Sequence, residues 1–151
     1  MIRTSNRMRV CMTLLLCNLV FIWGNSMLPG DISGQISDWV KSLLKEIFPG
    51  SDDGRSGGSF LLRKLAHFTE FTALGILLSW LFGMLQKKRF YPFLLGTAAA
   101  CIDETIQMFV PDRGPAIRDV CIDSCGVLTG MLLLYFGHTW YRKYCNKNFG
   151  G

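Results

Sequence analysis

The chain has 151 residues, of which 50% are hydrophobic and 18% charged, with a formal net charge of +5; soluble domains carry about 25% charged residues. A mean hydropathy of +0.28 excludes a disordered chain, which needs few apolar residues, and directs the positive charge toward a bilayer rather than nucleic acid. Six cysteines fall short of disulfide-scaffold density, and the length fits one domain over residues 1–151.

A bilayer core of about 30 Å needs ~20 mostly apolar residues per helical span. Four stretches are expected to cross. Residues 10–28 are interrupted by Asn18 and Asn25. Residues 64–85 carry His67 and Glu70. Residues 90–109, the shortest and most polar, carry Asp103, Glu104 and Gln107. Residues 119–140 carry Asp119 and Asp123. The basic start of the first stretch, with Gly24 and Ser26 near its end, also fits a secretory leader, but three further spans need no removable one. Residues 29–63 then form an outer loop. In it Ile36, Trp39, Val40, Leu43, Leu44 and Ile47 recur at helical spacing, which predicts a short amphipathic helix lying on the outer membrane face. Residues 51–59 (SDDGRSGGS) read as a flexible link. Gly126 and Gly130 make a GxxxG pair, which lets helices approach closely. Cys11, Cys17, Cys101, Cys121 and Cys125 lie in apolar stretches and read as small hydrophobes. The expected fold is all-α: a four-helix transmembrane bundle with a short amphipathic extracytoplasmic helix.

Orientation follows from the basic residues, which collect on cytoplasmic flanks. Arg3, Arg7 and Arg9 precede the first stretch. Lys87, Lys88 and Arg89 separate the second from the third. Arg142, Lys143 and Lys147 follow the fourth. All three clusters put both termini inside a multi-pass membrane protein.

The informative residues are polar ones placed where lipid penalises polarity. An ionisable group at the centre of a membrane helix costs at least ~2.5–3.5 kcal/mol and by default marks function. With Lys64 and Phe109 as outer ends, helix rise puts His67 ~5 Å, Glu70 ~9 Å, Gln107 ~3 Å, Glu104 ~8 Å and Asp103 ~9 Å below the outer surface; Asp123 lies ~6 Å inside Asp119. Each helix presents its polar pair at i,i+3 or i,i+4, hence on one face. Three such faces turned inward predict one pocket open to the outside. His67 or Glu70 is expected to approach Asp103, Glu104 or Gln107, with Glu70 and Glu104 at one depth, close enough to share a proton or a cation. The loop between the last two spans, fixed by Pro111 and Pro115, adds Arg113 and Arg118; Arg113 at the pocket's mouth suits a phosphate or carboxylate, whereas Arg118 reads as a solvated or lipid-facing charge. The structural alternative is that these groups only pair with one another, though seven polar residues exceed what four helices need.

The run Arg63-Lys64-Leu65-Ala66-His67-Phe68-Thr69-Glu70-Phe71 with Gly75 resembles the VanZ-like family of bacterial membrane proteins. So do Asp103-Glu104 with Gln107, Phe109, Pro111 and Arg113, and Asp119-Val120 through Asp123, Gly126 and Gly130. Ser26, Pro29, Ser33 and Ser37 look like that family's serine-bearing segment. Phe71 stands where the family often has Tyr. The resemblance covers about residues 10–137 and implies a small helical protein of the cell envelope. The family takes its name from a teicoplanin-resistance determinant, a link to antibiotic resistance that many members do not share, and the resemblance implies no known reaction.

Two functions fit these residues. In the first, the protein is an enzyme acting on a lipid-linked or phosphate-bearing envelope substrate at the outer leaflet. His67, Glu70, Asp103, Glu104, Gln107 and Asp123 are its catalytic candidates, with His67 or Glu70 as general acid or base. Lys64, Arg113 and Asp119 are its substrate-binding candidates. Asp103, Glu104 and Asp123 are candidate ligands of a divalent cation. Ser26 and Ser124 are nucleophile candidates by proximity alone. In the second, the same pocket serves a non-enzymatic binding or accessory protein. The expected partner in both is a membrane lipid or lipid-linked envelope precursor, and no nucleic acid. A transporter fits less well, since no charge marks a path through the inner half.

Overall fold

A computed structural model gives the structure of the protein and describes residues 2–47, 58–111, 113–114 and 116–149. Among the described residues there are five α-helices and no strand: α1 (Ile2–Ser26), α2 (Gly30–Ile47), α3 (Gly58–Met84), α4 (Tyr91–Gln107) and α5 (Ile117–Phe149). The all-α expectation holds. The helix ends differ from those expected. α5 runs past residue 140 because no Gly or Pro interrupts residues 138–149. α3 begins inside the expected link, whose residues 51–57 lie outside the described residues.

Among the described residues, three helices are long and apolar enough to cross a membrane, over Asn6–Ser26, Leu61–Met84 and Ile117–Asn148. Four were expected. α4, the intended third span, has 17 residues against the ~20 a bilayer core requires, and acidic residues enter its last turns. α2 is an 18-residue helix, longer than expected, and packs along α3. Its Ile36, Trp39 and Leu43 are exposed and Val40 is half-buried; the side chains of Leu44 and Ile47 lie outside the described residues.

α3 is the hub and packs against each of the other four helices. The core is small: Ile22 from α1, Phe71, Leu74 and Leu78 from α3, Ala99 and Ala100 from α4, and Val127 from α5. Many large apolar side chains point outward instead, among them Leu16, Val20 and Phe21 on α1 and Leu132, Leu133 and Phe136 on α5. An apolar exterior over a thin core is what lipid as solvent permits.

The α3–α5 contact is made backbone to backbone. A Cβ on Gly126 would lie 2.7 Å from the Phe68 carbonyl oxygen, and one on Gly130 would collide with the Thr72 carbonyl. From the other side, a Cβ on Gly75 would collide with the Val127 backbone. The GxxxG pair therefore serves α3, and the two helices run parallel, with 126 beside 68 and 130 beside 72.

The α3–α4 turn sits at the far end of the bundle from the N-termini of α3 and α5. Lys87 N–H donates to the Phe82 carbonyl (3.1 Å) and Gln86 N–H to Gly83 (3.3 Å), a Schellman closure with Gln86 in the left-handed position (φ 52°). Arg89 then stacks over the Tyr135 ring, 5.0 Å from its centroid, fixing this basic loop to the C-terminal half of α5.

Because the neighbour of Gly130 is rigid backbone, Gly130→Leu is expected to lower stability by about 1–3 kcal/mol and to reduce the thermal unfolding midpoint in detergent. Gly137→Ala meets nothing within 4 Å and should leave that midpoint unchanged or slightly raised.

Candidate functional site

The glycine-mediated register sets the site. In the turns before Gly126 and Phe68, α5 presents Asp119 and Asp123 to Lys64 and His67 of α3. α4 runs antiparallel and brings Asp103, Glu104 and Gln107 to the same end. The end of α1 adds Asn25 and Ser26.

Asp103 is fully buried and both its oxygens are bonded. Ser26 Oγ–H donates to Oδ1 at 2.6 Å, and Gln107 Nε2 donates to Oδ2 at 2.9 Å. Gln107 also reaches Ser26 Oγ at 3.5 Å. Buried carboxylates require such partners. Glu70 accepts a hydrogen bond from Asn25 Nδ2 on Oε1 at 2.9 Å. Its Oε2 stands 4.0 Å from His67 Nδ1, and His67 Nδ1 stands 4.0 Å from Asp103 Oδ2. Lys64 forms an ion pair with Asp119.

Two further groups close helix ends. Glu104 Oε2 accepts the Ala116 N–H at 2.8 Å, just before α5 begins, where an anion meets the positive end of the helix dipole. Arg113 Nη1 donates to the Ser26 carbonyl at 3.4 Å, placing a cation at the C-terminal end of α1. Burial, and then Arg63 nearby, draw the Arg113 guanidinium below its usual range, while Asp103 and Glu104 act against this.

A small cavity of about 10 Å³, room for one water-sized body, lies among Lys64, His67, Glu104, Gln107, Asp119 and Asp123. Unmet hydrogen-bonding capacity concentrates around it. Among the described residues, His67 Nδ1, Glu70 Oε2, Glu104 Oε1, Asp119 Oδ1 and Arg113 Nε are buried without a protein partner.

His67 thus approaches Asp103 at one-water distance. The particular pairing of Glu70 with Glu104 is not the one seen: Glu70 turns to Asn25 and His67, while Glu104 caps α5. The expected metal set also changes. His67, Asp103 and Asp123 bring ligand atoms within 4.8 Å of one another; Glu104, engaged with Ala116, is outside that group. Arg118 is exposed, and Arg63 lines the cavity instead. Ser124 Oγ is buried without a partner, whereas Ser26 sits against Asp103. Asn25 and Arg63 went unassigned in the sequence reading. The signal for Asn25 was a polar residue within an apolar stretch, close to its outer end.

Ser26→Ala deletes one of the two donors to Asp103 and is expected to cost about 1–3 kcal/mol, visible as a lower unfolding midpoint in detergent. Ser124→Ala removes a hydroxyl with no partner and should change that midpoint little.

No curated protein and no solved structure matches the chain. The family model described as VanZ/LLP1 matches residues 9–138. That interval takes in most of α1, all of α2 to α4, and the polar face of α5 with its glycines, so the chain is a membrane protein belonging to the VanZ/LLP1 family.

Proposed function

We propose that this protein binds the phosphate-bearing headgroup of a lipid-linked envelope intermediate at the outer leaflet of a bacterial cell membrane, and that His67 performs acid–base work on it. The observation that supports this reading is the convergence of α3, α4 and α5 on one polar cavity lined in part by Arg63 and Lys64, with Arg113 held at the nearby end of α1. Cations near the opening meet an anionic headgroup, and Arg113 keeps its Nε without a protein partner. His67 lies 4.0 Å from two carboxylates, near enough to exchange a proton through one water. The self-paired Asp103–Ser26–Gln107 group favours a second reading, in which the cluster only holds headgroup and helices in place.

In the proposed topology α4 is a fourth crossing, and α2 lies on the outer surface. The lipid-compatible face of α4 is apolar, with Leu94, Leu95 and Ile102 exposed, while its charged residues are buried. The basic loop from Lys87 to Arg89 and the C-terminal basic cluster then lie inside. A phosphatase active only outside the membrane, fused after Lys147, should be inactive; activity there overturns this topology.

Binding is tested with the full chain in nanodiscs, comparing a polyprenyl phosphate with the same polyprenol. The phosphate form should bind more tightly, and Arg113→Gln should weaken it about 10–100-fold, the loss of a charge-assisted hydrogen bond. Equal affinity for both lipids rejects the reading. His67→Ala and Glu104→Gln should each abolish the cellular phenotype, assayed as growth in teicoplanin, at near-normal amounts in the membrane. If only Arg113→Gln affects that phenotype, the cluster binds without catalysing.

A further inference from the structure

Among the described residues at the polar end of the bundle, the five carboxylates of Glu70, Asp103, Glu104, Asp119 and Asp123 outnumber Arg63, Lys64, Arg113 and the exposed Arg118 by one. Buried charge must be matched by protons or by a cation. The geometry favours a cation at one point. His67 Nδ1 faces Asp103 Oδ2 and Glu70 Oε2 at 4.0 Å each. Two donors ~2.1 Å from one ion in a tetrahedral site are ~3.4 Å apart, so these separations leave room for an ion once the side chains close by about 0.6 Å. The ligand atoms of His67, Asp103 and Asp123 lie within 4.8 Å of one another, and a small side-chain closure brings the group to coordination distance.

Independent observations point to a ligand here. Glu104 is 6% exposed, lines the same cavity, and leaves Oε1 without a partner. Glu70 is 9% exposed, and its unpartnered Oε2 is directed at His67. The cavity, lined by His67 and Asp123, has room for one water-sized body, which suits an ion.

We propose that His67, Asp103 and Asp123 bind one first-row divalent cation, of the Mn²⁺ or Zn²⁺ class, at the floor of the pocket. One imidazole among carboxylates selects these ions over Mg²⁺ and Ca²⁺, which prefer oxygen alone. The Asp103 oxygens are held by Ser26 and Gln107, so the ligand is already oriented, as outer partners orient ligands in metal sites. The cation would face the phosphate of the bound lipid, and in this the inference rests on the functional reading above.

The test uses the full-length protein in nanodiscs, stripped with EDTA and titrated with Mn²⁺, with free Mn²⁺ read by electron paramagnetic resonance. One Mn²⁺ should bind per chain. His67→Gln and Asp123→Asn should each weaken binding at least ~10-fold, and Asp31→Asn, an exposed position on α2, should not. Because a variant can misfold, the wild-type protein is also examined by electron spin echo modulation, which should show a nitrogen coupled to bound Mn²⁺. No saturable site, or a site without a nitrogen ligand, overturns the proposal. Polyprenyl phosphate binding measured in EDTA separates the two ideas. Phosphate-dependent binding without any Mn²⁺ site leaves the functional reading standing and rejects the cation. A Mn²⁺ site with no preference for the phosphate lipid does the reverse.

Discussion

The rest of the structure depends on the close backbone approach of α3 and α5. Gly126 and Gly130 bring the α5 backbone against the Phe68 and Thr72 carbonyls, and Gly75 admits the Val127 backbone from the opposite side. In a bilayer, helices gain little by hiding apolar surface from lipid that is itself apolar, so van der Waals packing of small residues carries the association. That packing fixes axial register and rotation together. With 126 beside 68, the preceding turns bring Asp123 near His67 and Asp119 within reach of the long Lys64 side chain. Side chains at Gly126 or Gly130 would push the helices apart and separate those pairs.

Given this register, the polar cluster answers a problem of satisfaction. Asp103 is held at both oxygens by residues from α1 and its own helix. Glu104 and Arg113 each close the end of another helix, so they support the fold while standing at the pocket. This division of labour matters for chemistry. Asp103, with both oxygens bonded, acts as a frame. His67, Glu70, Glu104, Arg113 and Asp119, whose buried atoms retain unmet capacity, are the ones able to engage a proton, an ion or a headgroup.

Much of this was legible in the sequence because lipid imposes a simple rule. Apolar length and basic flanks outlined the helices, and polar residues near one end of each marked the site. The identity of the neighbours was not legible. Period and spacing say which residues share a face, but not how far each helix is rotated toward its partners. That angle is set by glycine contacts spread over three helices. Hence Glu70 was expected to face Glu104, whereas Asn25 takes it. Glu104 was expected among metal ligands, whereas the α5 N-terminus takes it.

The same physics bears on α4, which at 17 residues is shorter than the stretches of α1, α3 and α5 that are long and apolar enough to cross a membrane. Its Asp103, Glu104 and Gln107 are buried while Leu94, Leu95 and Ile102 point outward. Lipid meets only the outward face, and a helix that turns its charged groups to protein keeps that face apolar. For the proposed crossing, length is then the remaining demand. Seventeen residues rise about 26 Å, a few ångströms short of the ~30 Å hydrocarbon core, a mismatch that local thinning of the bilayer would meet at modest cost.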